Sequence, residues 1–317
     1  MQDAENSRAR SVHQTNAEQP EDGLYPVPAR RTASFLMTLI EASLIAVAAA
    51  VVIAPLAAIA LALAGFHFPF PRIFDRGVMV TLLGALLSFA HRLRLLDFLR
   101  QGFRTNRADV RRVLDGLGLA AAAVTILFWL ASFGGGTIRG ADILPSVFGY
   151  FPAAMLISVI EEGFFRAFLL AGMESEVGSS AGLLGSSAIF ALIHVIRSPA
   201  HFYLVQFDPL AGADTLIAYG ERVLQIGAAP ALLGFFLLGV VLGEAFVFTR
   251  RVHCSVGMHV GFILGAKTWR RAVAGPVPRW LAGGASVPLV AAPATWGISA
   301  VVVVVLFLWL APSNTAR

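Results

Sequence analysis

The sequence predicts an all-α fold, a polytopic transmembrane helical bundle of about eight helices, and three observations predict it. Hydrophobic residues make up 57% of the 317 residues and charged ones only 14%. With a mean hydropathy of +0.75, too little polar side chain is left to cover a soluble globule. Eight apolar runs recur along the chain, to be judged against the roughly 20 residues that a helix needs to cross a bilayer. Basic residues concentrate from Arg92 to Arg112, with Arg92, Arg94, Arg100, Arg104, Arg107, Arg111 and Arg112 against Asp97 and Asp109. By the positive-inside rule that stretch is cytoplasmic. The net charge of +5 therefore reads as topology, with no nucleic-acid partner called for.

Taken in order, residues 1–33 carry scattered charges, then Gly23, Pro26 and Pro28, without apolar periodicity. They read as a disordered N-terminal tail and not as a signal peptide, because the first apolar run starts too late and lasts too long. The bundle is expected over 34–311, followed by a short tail at 312–317. Its runs fall at about 34–65, 77–97, 113–133, 147–171, 180–196, 229–249, 254–272 and 294–311. An even number of crossings puts both termini on the cytoplasmic side of a cell membrane, in keeping with Arg30, Arg31, Arg250 and Arg251. Lys267, Arg270, Arg271 and Arg279 then fall on the far side, against the rule. The polar stretch from Arg197 to Ile226 is a surface loop with one interfacial helix around Leu216 to Ile226. Phe68-Pro69-Phe70-Pro71 is a stiff connection. The sole cysteine, Cys254, excludes an intramolecular disulfide and a cysteine-built metal site.

The informative residues are the ionisable ones inside apolar runs. In Ser158-Val159-Ile160-Glu161-Glu162-Gly163-Phe164-Phe165-Arg166, two carboxylates and a guanidinium sit where each charge costs at least about 2.5 kcal/mol to insert. Glu162 and Arg166 are four residues apart and share a helix face, whereas Glu161 points about 100° away. Arg166 can hold Glu162 charged, leaving Glu161 to face the bundle interior. The plain alternative is a structural ion pair with a spare carboxylate. His194 and His259 each stand alone on an apolar helix. Either could be a core residue bonded to a backbone carbonyl, but together with the carboxylates they can meet only inside the bundle. Such a cluster is catalytic, metal-binding or part of a proton path. Glu244 is a helix-end residue near Arg250 and Arg251, or a gate.

Glu161-Glu162-xxx-Arg166, then Phe190-xxx-His194, then His259 on a later helix resemble, in order and spacing, the three motifs of the CPBP intramembrane proteases. That group includes the Ras-converting CAAX prenyl endopeptidases and the bacterial Abi proteins. The resemblance spans about 145–270. It implies an intramembrane endopeptidase, of glutamate or metallo type, that hydrolyses a peptide bond of a membrane-associated protein or peptide. The site residues it implies are Glu161, Glu162, Arg166, His194 and His259. Glu161 would activate water, His194 would share that water, and His259 would donate to the oxyanion. In a metal-dependent version Glu161, His194 and His259 would hold zinc, with an open position for water; the reading without a cofactor is preferred. One departure stands out: where the family usually has Asn four residues after the last histidine, this chain has Ile263. A proton- or ion-coupled transporter and an inactive immunity or scaffold protein of the same fold are the rival readings.

Overall fold

The computed structural model describes residues 34–196, 202–204, 206–282 and 289–310. The tails expected at 1–33 and 312–317 lie outside them. The first helix, α1 (Phe35–Leu63), shows how the bundle is built. Its buried face is a four-residue repeat of alanines, Ala42, Ala46, Ala50, Ala54 and Ala58, while Leu44, Val52, Leu56 and Leu63 point outward. Small residues inside and large apolar ones outside invert the soluble pattern. They suit a helix surrounded by lipid, where close backbone approach drives packing. The alanine face receives α2 (Phe70–Ser88), and the Thr81 hydroxyl donates to the Ala46 carbonyl at 2.8 Å.

After the short α3 (Leu95–Gly102), α4 (Asp109–Phe133) leads into a two-residue strand β1 (Thr137–Ile138). The next helix, α5 (Ile143–Glu162), runs without a break into a π-helical stretch, Gly163–Leu170, and then α6 (Ala171–Val177). Gly178, at φ +83°, turns the chain back into α7 (Ser179–Val195). A conformation that L side chains rarely adopt is available there at no steric cost. The remaining elements are α8 (Ala211–Leu224), α9 (Ala229–Thr249), α10 (His253–Ala272), β2 (Val273–Ala274), α11 (Arg279–Ala282) and α12 (Pro293–Leu310).

Each of the eight expected runs falls on helix, and the protein is an all-α, multi-pass membrane protein. Five segments are long and apolar enough to cross a membrane: α1, α4, the stretch Gly140–Val177 that contains α5, α9 and α12. The other three runs, on α2, α7 and α10, do not meet both conditions. Among them α7 has 17 residues, α2 carries Arg72, Asp75 and Arg76 in its first two turns, and α10 carries Lys267, Arg270 and Arg271 in its last two. The second run also shifts, to 70–88 from the expected 77–97. Pro69 and Pro71 start that helix early, and its charged opening turns hide the start from a hydropathy reading. The helix expected in the polar loop, α8, begins at Ala211, five residues earlier than expected, and buries Ala211, Gly212, Thr215 and Tyr219.

The most extensive helix pairing is α4 with α10, and it depends on absent side chains. A Cβ at Gly257 would lie 2.0 Å from the Val113 carbonyl oxygen of α4, so the two backbones would have to separate. Gly257→Val is expected to destabilise the fold by about 1–3 kcal/mol and to displace His259, two residues on. Gly118→Ala on the same pair of helices meets nothing within 4 Å and should be neutral or mildly stabilising. Thermal midpoints in detergent for the two variants check this.

Both ends of α10 are tied. Before it, the Val252 N–H donates to the Gly102 carbonyl at 3.1 Å, and Arg251 Nη1 reaches the buried Asp109 at 2.7 Å. After it, β2 pairs antiparallel with β1, Thr137 opposite Ala274 and Ile138 opposite Val273, and the Arg139 N–H donates to the Ala272 carbonyl at 2.7 Å.

Candidate active site

Glu161 and Glu162 close α5, and the π-helical stretch begins at the next residue. π segments within α-helices are frequent at functional sites. Here the wider winding still lets Arg166 reach back: its Nε donates to Glu162 Oε2 at 3.2 Å, with both side chains fully buried. The other oxygen of the same carboxylate, Oε1, lies 2.9 Å from His259 Nδ1. Glu162 thus holds Arg166 on its own helix and His259 on α10, with the Ser255 side chain of α10 also interacting with it. The sequence reading gave it only Arg166.

Glu161 turns the other way, as its offset along the helix requires. Its Oε2 stands 3.4 Å from His194 Nε2 and 3.7 Å from His259 Nε2. The tautomers follow from the partners. His194 Nδ1 lies 2.8 Å from the Phe190 carbonyl oxygen, which can only accept, so Nδ1 carries the proton and Nε2 a lone pair. His259 Nδ1 facing a carboxylate is likewise the protonated nitrogen, which leaves Nε2 of the neutral ring as a lone pair. Two lone pairs and a carboxylate oxygen therefore surround one spot, and that oxygen is buried without a hydrogen-bond partner. Three acceptors around one position call for a donor between them, and a water molecule can supply two protons to such a place. Among the described residues, no group of three His, Cys, Asp or Glu side chains closes into a metal shell.

All five sequence-nominated residues, Glu161, Glu162, Arg166, His194 and His259, are thus brought into one cluster by α5, the π stretch, α7 and α10. Aromatic rings pack around it. The Arg166 guanidinium lies over the Phe190 ring at 5.1 Å, and Phe190 stacks on His194 with centroids 4.1 Å apart. Phe235 of α9 packs on His194 from a further direction, at 4.8 Å. Sequence reasoning missed Phe235, and no signal marks one phenylalanine among the 24 of the chain. Glu244, expected as a helix-end residue near Arg250 and Arg251 or as a gate, lies five residues before the end of α9. Arg250 takes Glu174 at 2.5 Å and Arg251 takes Asp109, while Glu244 Oε2 has no hydrogen-bond partner.

The sequence model of the Rce1-like family, described as type II CAAX prenyl endopeptidase Rce1-like, matches residues 142–264. Over that segment, less than half of the chain, the protein is similar to the Rce1-like family, in support of the resemblance drawn from the three motifs. The matched segment starts one residue before α5 and ends five residues after His259, so it contains every member of the polar cluster. The family is one of proteases. Comparison with curated proteins and with solved structures gave no match.

Proposed function

We propose that this Rce1-like chain is an intramembrane endopeptidase that hydrolyses a peptide bond of a membrane-associated protein or peptide. Glu161 is its general base. The observation that carries the reading is the Glu161 Oε2 atom, buried and unpartnered, facing both Nε2 atoms at 3.4 and 3.7 Å. A water held between Glu161 and His194 loses a proton to Glu161 as its oxygen bonds to the scissile carbonyl carbon. Glu161 then passes that proton to the departing amine nitrogen as the C–N bond breaks. His259, with a second proton taken up at Nε2 from solvent before substrate binds and kept there through the cycle, donates to the oxyanion. Glu162 at its Nδ1 supports the positive charge, and Arg166 keeps Glu162 in place. With Ile263 one turn beyond His259, no amide side chain shares that task from that position.

In a zinc-dependent version Glu161, His194 and His259 would be the ligands. The orientation proposed places the Arg92 to Arg112 stretch and both termini in the cytoplasm, with the chain in the cell membrane.

The test compares N-terminal peptide profiles of membranes from cells with and without the protein, each treated with a strong chelator or left untreated. New N-termini that depend on the protein and survive the chelator are the expected result. Products lost with chelator and restored by zinc would overturn the metal-free mechanism. No protein-dependent product would overturn the protease reading in favour of an inactive scaffold of this fold.

A further inference from the structure

The imidazole of His194 stands in a cup of three phenylalanine rings brought by three elements. Phe190 of α7 is 4.1 Å away with 35° between the ring planes. Phe235 of α9 is at 4.8 Å and 33°, and Phe165 of the π stretch is at 6.3 Å. Phe165 and Phe190 are buried and braced on each other at 5.0 Å. Phe190 is further held under the Arg166 guanidinium. Two walls of the cup are thus part of the rigid core.

The third wall differs. Phe235 is half-buried and comes from a helix that contributes none of the polar residues. His194 itself lies in the last turn of α7. Among the described residues its ring hydrogen bond is the one from Nδ1 to the Phe190 carbonyl, which restrains a single atom. The terminal torsion of a histidine is broad, so that bond alone does not fix the ring plane. Packing has to do so, and the walls at Phe190 and Phe235 meet the ring from different directions, their own centroids lying 6.4 Å apart.

We propose that Phe235 is a positioning residue for the proposed hydrolysis. By packing on the His194 imidazole it fixes the ring plane that directs Nε2 at Glu161 Oε2, and so brings α9 into the reacting geometry without contact to substrate. This inference rests on the endopeptidase reading above. Misplacing a reacting group by about 1 Å can cost a factor of about 100. Phe235→Ala should therefore lower kcat by about 10- to 100-fold with KM unchanged, and the loss should persist when the assay is run well below the variant's own thermal midpoint, which removal of a packed ring lowers. Phe235→Tyr keeps the aromatic face and should restore kcat.

A second readout needs no hydrolysis. Nitrogen NMR of the histidine rings, with the His194 signal assigned by its loss in His194→Gln, should show one ordered Nδ1–H imidazole in the wild type and in Phe235→Tyr. Phe235→Ala should broaden or average it. An unchanged kcat with an unchanged ring signal in Phe235→Ala overturns the proposal. So does a loss shared by the Tyr variant, or one that vanishes when the assay is run well below the variant's midpoint, since either marks general packing. If the wild type cleaves nothing, the endopeptidase reading fails, and the ring signal still decides whether Phe235 orients His194.

Discussion

Glu161→Gln is expected to abolish cleavage without weakening the fold. The substitution keeps the length and shape of the side chain and removes the group proposed to take the proton from water. General bases contribute about 10²–10⁴-fold, and the product signal should fall by at least that factor. Stability should hold for a reason visible in the site. Glu161 Oε2 makes no hydrogen bond that could be lost, and it faces two imidazole lone pairs at 3.4 and 3.7 Å. A glutamine amide has two N–H groups to offer those lone pairs, so the thermal midpoint should stay level or rise. A variant that cleaves at the wild-type rate would place the base elsewhere. One that loses activity and melts early would show that Glu161 is structural.

Arg166→Met should do the opposite, with the largest loss of stability of any single change in the site. It leaves the Glu162 carboxylate fully buried beside a neutral side chain, and stranding one partner of a buried pair costs about 3–5 kcal/mol. Glu162→Gln should also destabilise, because it strands the guanidinium, whose Nη1 and Nη2 already lack hydrogen-bond partners. The double variant, Glu162→Gln with Arg166→Met, removes both charges and should recover most of the stability. Its activity should stay low, since His259 Nδ1 no longer faces a carboxylate. Thermal or denaturant midpoints of the four proteins give the coupling between the two residues directly. Additive losses in the double variant would mean that the pair is not coupled.

The polar cluster was legible in the sequence because charge inside an apolar run is conspicuous. Four-residue spacing alone put Arg166 beside Glu162 and turned Glu161 away. Three things were not legible. The π-helical stretch leaves the side-chain order unchanged, so Gly163 to Leu170 reads as ordinary apolar helix. The bond from Glu162 to His259 joins residues 97 apart and depends on how α5 and α10 cross. Phe235 is one apolar residue among many, and its role comes from the ring it touches. In the fold, α9 begins and ends where expected because one apolar run defines it. The shift of α2 came from Arg72, Asp75 and Arg76, whose charge interrupts hydropathy but not helix.

The fastening of α10 at both ends has a mechanical consequence. A rod pinned at one end by Val252 and Arg251 and at the other by the two-residue ladder cannot slide along its axis. His259 and Glu162 then act as the fixed jaw of a vice, their separation set by the frame. A substrate that wedges itself in must be admitted by displacement of something other than that rod.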